Sequence, residues 1–423
     1  MNPVRLALSL AIASLWHRRG VMGLITLTLT LSITLLLGIQ YARTEVKESF
    51  SNTIAGTDLV VGARSGQLNL LLYSVFHMGN ATNNIRWQTY QDLREDSRID
   101  WIVPLSLGDS YQGYRVVGTN ENYGKHFRYG DGQRLALTSG RWFKGVFEVT
   151  LGAEVAKQLK HKTGDEVVLA HGTGRVSFMN HDAHPFQVTG ILAATGTPVD
   201  RAVYVSLQGL EAIHIGWESG VAIPGRTISK DKALARDLTP EAITAALVGV
   251  ERKVLTFQVQ RSINQSDLEP LTAILPGVAL SELWGVMGQF ENTLLGITAF
   301  VIVTSLIGLI AVLLAMQAQR RQEVAILRAV GAQPRLIALL YILECGLLAT
   351  AASVLAVLLG AGLVSAAGPW LLDNYGLHIS LRMLDKTEWL MLASLPLAGL
   401  VVGLIPAWQG WRSGHRQSIP SGF

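Results

Sequence analysis

The chain has 423 residues, of which 49% are hydrophobic and only 16% charged, with a net charge of +4. A soluble protein is nearer a quarter charged, so this composition excludes an ordinary aqueous globule; the small positive balance, with no long basic tract, argues against a nucleic-acid partner. The single cysteine, Cys345, lies in an apolar run and excludes both an internal disulfide and a cysteine-built zinc site.

In chain order, residues 1–20 carry Leu6, Leu10, Ile12 and Leu15 at roughly helical spacing beside a basic end. They read as a cytoplasmic helix lying in the membrane interface, or as an extension of the first span. A membrane helix needs about 20 mostly apolar residues. Residues 21–41, VMGLITLTLTLSITLLLGIQY, meet that need. The run exceeds the apolar core of a cleaved signal peptide and no small-residue cleavage site follows, so it reads as a retained span 1.

Residues 42–293 form a large insert of mixed strand and helix signals. Strands are predicted at 58–63 (DLVVGA), 165–170 (DEVVLA), 186–194 (FQVTGILAA) and 202–207 (AVYVSL). Residues 151–169 read as helix, glycine turn and strand. Residues 239–253 predict a helix capped by Thr239 ahead of Pro240 and Glu241. Residues 216–229 read as a Gly/Pro-rich loop. Residues 42–56 and 279–293 flank the insert. They either prolong spans 1 and 2 as a stiff stalk or merely mark boundaries. The stretch 62–80 clusters Leu68, Leu70, Leu71, Leu72, Val75 and Phe76, either as a greasy contact surface or as a buried helix. The stretch HGTGRVSFMNHDAHPF holds His171, His181, Asp182 and His184. Three imidazoles and a carboxylate suit zinc, but the spacing has no helical register behind it, and a solvated loop fits as well.

Residues 294–316 form span 2, 317–335 a charged helical segment, and 336–367 span 3. Residues 368–388 are a short loop, 389–405 a span 4 interrupted by Pro396, and 406–423 a tail. The expected fold is an α-helical membrane protein of four transmembrane helices with a large α+β extracytoplasmic domain between spans 1 and 2. Basic residues test the count. His17, Arg18 and Arg19, then Arg320, Arg321, Arg328 and Arg335, then Arg412 and Arg416 all fall on one side of four spans. Both termini are then cytoplasmic and the insert lies outside. Glu344 is the one carboxylate well inside a span, which implies either hydrogen-bonded packing or a gating role. Ala352, Ala356 and Gly360 lie at i, i+4 spacing in span 3, suited to close helix approach or simply typical of membrane helices. The chain has no phosphate-binding G-x-x-x-x-G-K-[ST] and no hydrolase or kinase signature, so no catalytic residue and no cofactor is assigned to it.

The segment QRRQEVAILRAVGAQPRLI explains its own place between two spans. It resembles the cytoplasmic coupling segment of the MacB/FtsX/LolC–LolE type of ABC permease, through Glu323, Ile326, Leu327, Arg328, Ala329, Gly331 and Ala332, with Val330 where the family has Leu. The external insert, the Glu early in span 3, the phrases VTLGAEVAKQL, GDEVVL and VTGIL, and the tail IPAWQGWRSG with Pro406 and Ala407 are similar too. The final RQSIPSGF fits the family only in part. The resemblance implies a separate cytoplasmic ATPase subunit that binds ATP and Mg²⁺ and docks on Glu323, Ile326, Leu327, Arg328 and Gly331. It further implies a second permease copy or paralogue, contact with lipids and with a periplasmic adaptor or lipoprotein, and mechanotransmission that exports or extracts an amphiphilic cargo. Two alternatives remain open: a non-transporting regulator of a periplasmic hydrolase or sensor, and a metal-handling system built on His171, His181 and His184.

Overall fold

A computed structural model describes residues 3–172, 184–216, 229–267, 269–319, 326, 328–375 and 381–408. The chain divides into two compact units, one of Met1–Glu45, Gly288–Pro369 and Ile379–Phe423, the other of Val46–Met287 and Trp370–His378.

The first unit is helical. Four stretches are long and apolar enough to cross a membrane: Arg19–Glu45, Pro276–Val312, Pro334–Leu371 and Lys386–Trp408. A shorter helix, Pro3–His17, precedes them. The first two spans belong to longer unbroken helices, Arg19–Asn52 and Pro276–Gln319. Met22, Ile25, Leu29, Ile33 and Leu37 recur every three or four residues and so share one face of span 1. That face is buried against Leu309, Cys345, Leu348, Ala352, Ala356, Leu392 and Leu395. Lipid is as apolar as leucine, so close packing and small residues hold such helices together. Ala352 and Ala356 are fully buried, whereas Gly360 in the same row faces open space.

Span 1 also carries hydroxyls. Thr26, Thr30, Ser32 and Thr34 each donate to the carbonyl four residues back, at 2.7 to 2.9 Å. Ser32 Oγ further meets Ser305 Oγ of span 2 at 3.0 Å. A hydroxyl in hydrocarbon needs such a partner, and the preceding turn supplies it.

The second unit is built on a mixed sheet. Its main strands are β1 (Leu59–Ala63), β2 (Ile99–Tyr111), β3 (Tyr114–Thr119), β4 (Leu137–Gly140), β5 (Glu148–Leu151), β6 (Phe186–Leu192), β7 (Ala202–Ser206), β8 (Ala245–Val250) and β9 (Leu271–Ile274). Their order is β9-β1-β8-β2-β3-β7-β5-β6-β4. The β3–β7 and β5–β6 pairs are parallel and the others antiparallel. The long β2 joins the two halves. Its first part pairs with β8 and its second, from Ser106, folds back on β3 through Gln112 and Gly113. Both turn residues have positive φ, 50° and 87°, which matches a two-residue hairpin turn to strand twist.

Two sequence expectations change here, and a third that the sequence leaves open is decided. Residues 239–253 are not a helix. They form the short strand Ala242–Ile243 and then β8, whose six residues are all buried. A strand covered on both faces is apolar throughout and loses the period that separates strand from helix. Gly249 belongs to that strand because a Cβ there would lie 2.1 Å from Trp101 Nε1. The strand expected over 165–170 is two short ones: Glu166–Val167 pairs with β6, and Ala170–His171 pairs with β2. The apolar stretch after β1 is a core helix, Gln67–Ser74. Leu70, Leu71, Val75 and Phe76 are buried, so they offer no greasy surface. The loop expected over 216–229 lies almost entirely outside the described residues.

Candidate functional site

Residues 317–335, where the coupling segment is expected, lie between spans 2 and 3. The helix of span 2 runs to Gln319, beyond its apolar stretch. Glu323 and Leu327 lie outside the described residues. Ile326 is helical and 65% exposed, and Val330, four residues on and thus on the same face, is 84% exposed. Val330 N–H donates to the Ile326 carbonyl at 3.1 Å and Gly331 N–H to the Arg328 carbonyl at 2.9 Å. Gly331 has φ +94°, the left-handed conformation that ends helices and that a side chain would strain. Pro334 then opens the helix of span 3, where its missing N–H costs nothing. The result, among the described residues, is a helical turn with an outward apolar pair, separated from span 3 by Gly331 and Pro334.

The start of span 3 is where the other motif residues gather. Ile337 and Tyr341 are buried against Ala407, so the tail motif folds back on the first turns of span 3. Pro406 is buried beside it. Glu344 is 1% exposed. An ionisable group so deep in a span is retained only where neighbouring groups hold it.

The contact that seats span 4 here is one that sequence reasoning missed. A Cβ on Gly399 would lie 2.7 Å from Ala349 Cβ and 3.0 Å from the Cys345 carbonyl, and one on Gly403 would lie 2.9 Å from Ile342 Cα. Spans 3 and 4 therefore touch backbone to side chain through a G-x-x-x-G pair. The signal was present as GLVVG, residues 399–403.

A second missed feature sits at the other end of the bundle. Arg382 donates from both Nη atoms to the two Glu388 oxygens, at 2.8 and 3.1 Å, and its Nε lies 3.2 Å from Glu45. Its guanidinium lies 4.6 Å from the Tyr41 ring centroid, and its backbone N–H donates to Tyr41 Oη at 3.2 Å. Glu388 is 1% exposed and also completes a capping box with Asp385 at the start of span 4. Nearby, Arg43 pairs with Glu291 at 2.6 Å, linking the helices of spans 1 and 2.

The histidines do not converge among the described residues. His184 is 2% exposed and stacks on Phe147, with centroids 5.5 Å apart and planes 7° from parallel. The backbone of His171 lies opposite Asp109 across the sheet, and His181 is outside the described residues. Among the described residues no three of His, Cys, Asp and Glu are grouped to hold a metal ion.

A family model described as the FtsX-like permease C-terminal region matches residues 295–417, and one described as the MacB-like periplasmic core domain matches residues 22–263, more than half of the chain. Among solved structures, the periplasmic region of MacB from Actinobacillus actinomycetemcomitans is 12% identical with a TM-score of 0.34, over 55% of this chain and 94% of that one. The extracellular domain of the noncanonic ABC-type transporter YknZ from Gram-positive bacteria is 14% identical with a TM-score of 0.30, over 52% and 99%. No curated protein matches the chain.

Proposed function

Because the chain belongs to the MacB/FtsX family of ABC-transporter permeases, whose members are the non-catalytic membrane subunits of such transporters, we propose that residues 319–337 are the docking lever for a separate cytoplasmic ATPase. That ATPase holds ATP and Mg²⁺, and a second permease copy or paralogue completes the assembly. The observation that carries this reading is the exposed apolar pair Ile326 and Val330, presented by a turn that Gly331 and Pro334 set apart from span 3. An exposed apolar pair on one helix face is a surface for another protein's groove, not for water.

The lever lies on the cytoplasmic side, as the placement of basic residues favours, and the second unit lies outside the membrane. Displacement of the lever passes through the two long helices to that unit, which handles the cargo. Four spans per chain make a wide aqueous path hard to build, which favours amphiphilic cargo such as a lipid or lipoprotein, exported or extracted at the outer face. Burial of Leu70, Leu71, Val75 and Phe76 removes that stretch as the contact for greasy cargo.

The test is affinity purification of the full chain from detergent, with and without the substitutions Ile326→Asp and Leu327→Asp. The wild-type chain brings an ABC ATPase with it, and each variant inserts into the membrane but loses that ATPase at least about tenfold. An ATPase that stays bound to both variants overturns the docking assignment.

A further inference from the structure

The sheet of the second unit ends on two edges that are finished differently. Behind β9 stands the helix Thr256–Asn264. Gln260 Nε2 and Asn264 Nδ2 donate to the Ala273 carbonyl at 3.1 and 3.3 Å, and Ala273 N–H donates to Asn264 Oδ1 at 2.6 Å. Side-chain amides take the place of a further strand. At the other edge β4 has β6 as its one neighbour in the sheet among the described residues, and all four of its residues are exposed. Unpaired edges invite another chain, so proteins generally cover them.

Beside β4 lies a cavity of about 180 Å³, walled by Leu135, Leu137, Trp142 and Phe143, with Lys125 and Lys144 at its rim. Trp142 Nε1 is itself buried, with no hydrogen-bond partner among the described residues, so the indole meets the cavity through its apolar ring. Glu121, 3.7 Å from Lys125, offsets one of the two rim cations and leaves the rim positive. Arg141 adds nothing to that excess, because both its terminal nitrogens are bound by Glu148 at 2.8 and 2.6 Å.

We propose that β4 and the cavity beside it form a receptor groove for an extended acidic segment of a partner polypeptide, which adds to the sheet as a strand and seats one large apolar side chain against Trp142. Main-chain pairing supplies affinity in this mode, and a pocket for an alternate side chain supplies selectivity. Because side chains alternate across a strand, a segment lying along β4 turns every second residue toward the cavity. The indole ring then covers the seated apolar side chain, and the rim lysines meet the carboxylates of the segment. A second copy of this chain suits the edge less well, since symmetric pairing sets one positive rim against another. The proposal concerns the second unit alone and stands apart from the docking of the ATPase.

The experiment is selection of a phage-displayed random peptide library on the full chain in nanodiscs, with subtraction on empty nanodiscs. The expected consensus has β-branched residues in alternation, one Phe, Tyr, Trp or Leu, and an Asp or Glu next to it. A synthetic peptide of that consensus slows amide exchange at 137–140. It binds at least about tenfold more weakly to Leu137→Arg, a change at a surface position. It binds about threefold more weakly to Lys144→Glu and to Trp142→Leu, which keeps an apolar wall and removes the ring. The two latter variants decide the matter should Leu137→Arg fail to fold. No enrichment over empty discs overturns the proposal, as does unchanged binding to all folded variants. Copy-to-copy cross-linking of Leu137→Cys assigns the edge to a second copy and overturns it as well.

Discussion

At the Arg382 end of the span bundle, charges from two distant parts of the chain meet, whereas at the Ala407 end helices touch through residues with almost no side chain. Arg382 is hydrogen-bonded to both oxygens of Glu388 and lies within ion-pair reach of Glu45, and Glu388 is buried, so separating them strands a charge. Gly399 and Gly403 instead let span 4 press against Ala349, Cys345 and Ile342. Such a contact resists compression but carries no directional bond. The bundle thus meets through a directed ion pair at one end and through close glycine packing at the other, and residues 317–335 lie at the glycine end.

The sharpest way to break this contrast is Arg382→Ala, which leaves Glu388 buried and unpaired. It should cost about 3–5 kcal/mol in denaturant unfolding of the detergent-solubilised chain. Converting Arg382 and Glu388 together to Met should restore most of that loss, since no charge is then stranded. A single variant that unfolds like the wild type would mean the end is not pinned by this pair. At the glycine end, Gly403→Leu should cost about 1–3 kcal/mol by overpacking. Its effect should not change with salt, which separates steric from ionic contact. Asp385→Ala removes half of the capping box that orients Glu388 and should cost about 1 kcal/mol by the same unfolding measurement. The smallest effect belongs to Arg43→Gln. Arg43 is 38% exposed, so its pair with Glu291 should be worth about 0.2–1 kcal/mol and vanish at high salt.

The spans were legible because hydrocarbon demands long apolar runs, and that demand is written locally. The strands 59–63, 186–192 and 202–206 were legible for a similar reason, being short, β-branched and bounded by turns. Residues 239–253 misled because Thr239, Pro240 and Glu241 imitate a helix start, while the buried β8 carries no periodicity to contradict them. The apolar stretch at 70–76 was read as either surface or core, and only its packing against β1 and β9 decides. The Arg382 cluster was out of reach altogether, since Glu45 and Arg382 meet only when the ends of the bundle assemble. The glycines of span 4 could have been found, because a repeat of four between small residues is a local signal.

The hydroxyl ladder of span 1 has a consequence for how the chain reaches its place. The run ITLTLTLS alternates apolar and hydroxyl-bearing residues with a period of two, the pattern of a half-buried strand. It is a helix here because each hydroxyl finds a carbonyl one turn back and because lipid leaves no other partner for the backbone. In water those same residues favour stacking with their own kind, as fibril-forming segments do. The solvent therefore chooses between two incompatible shapes of one sequence, and delivery to the bilayer has to outpace self-association during synthesis.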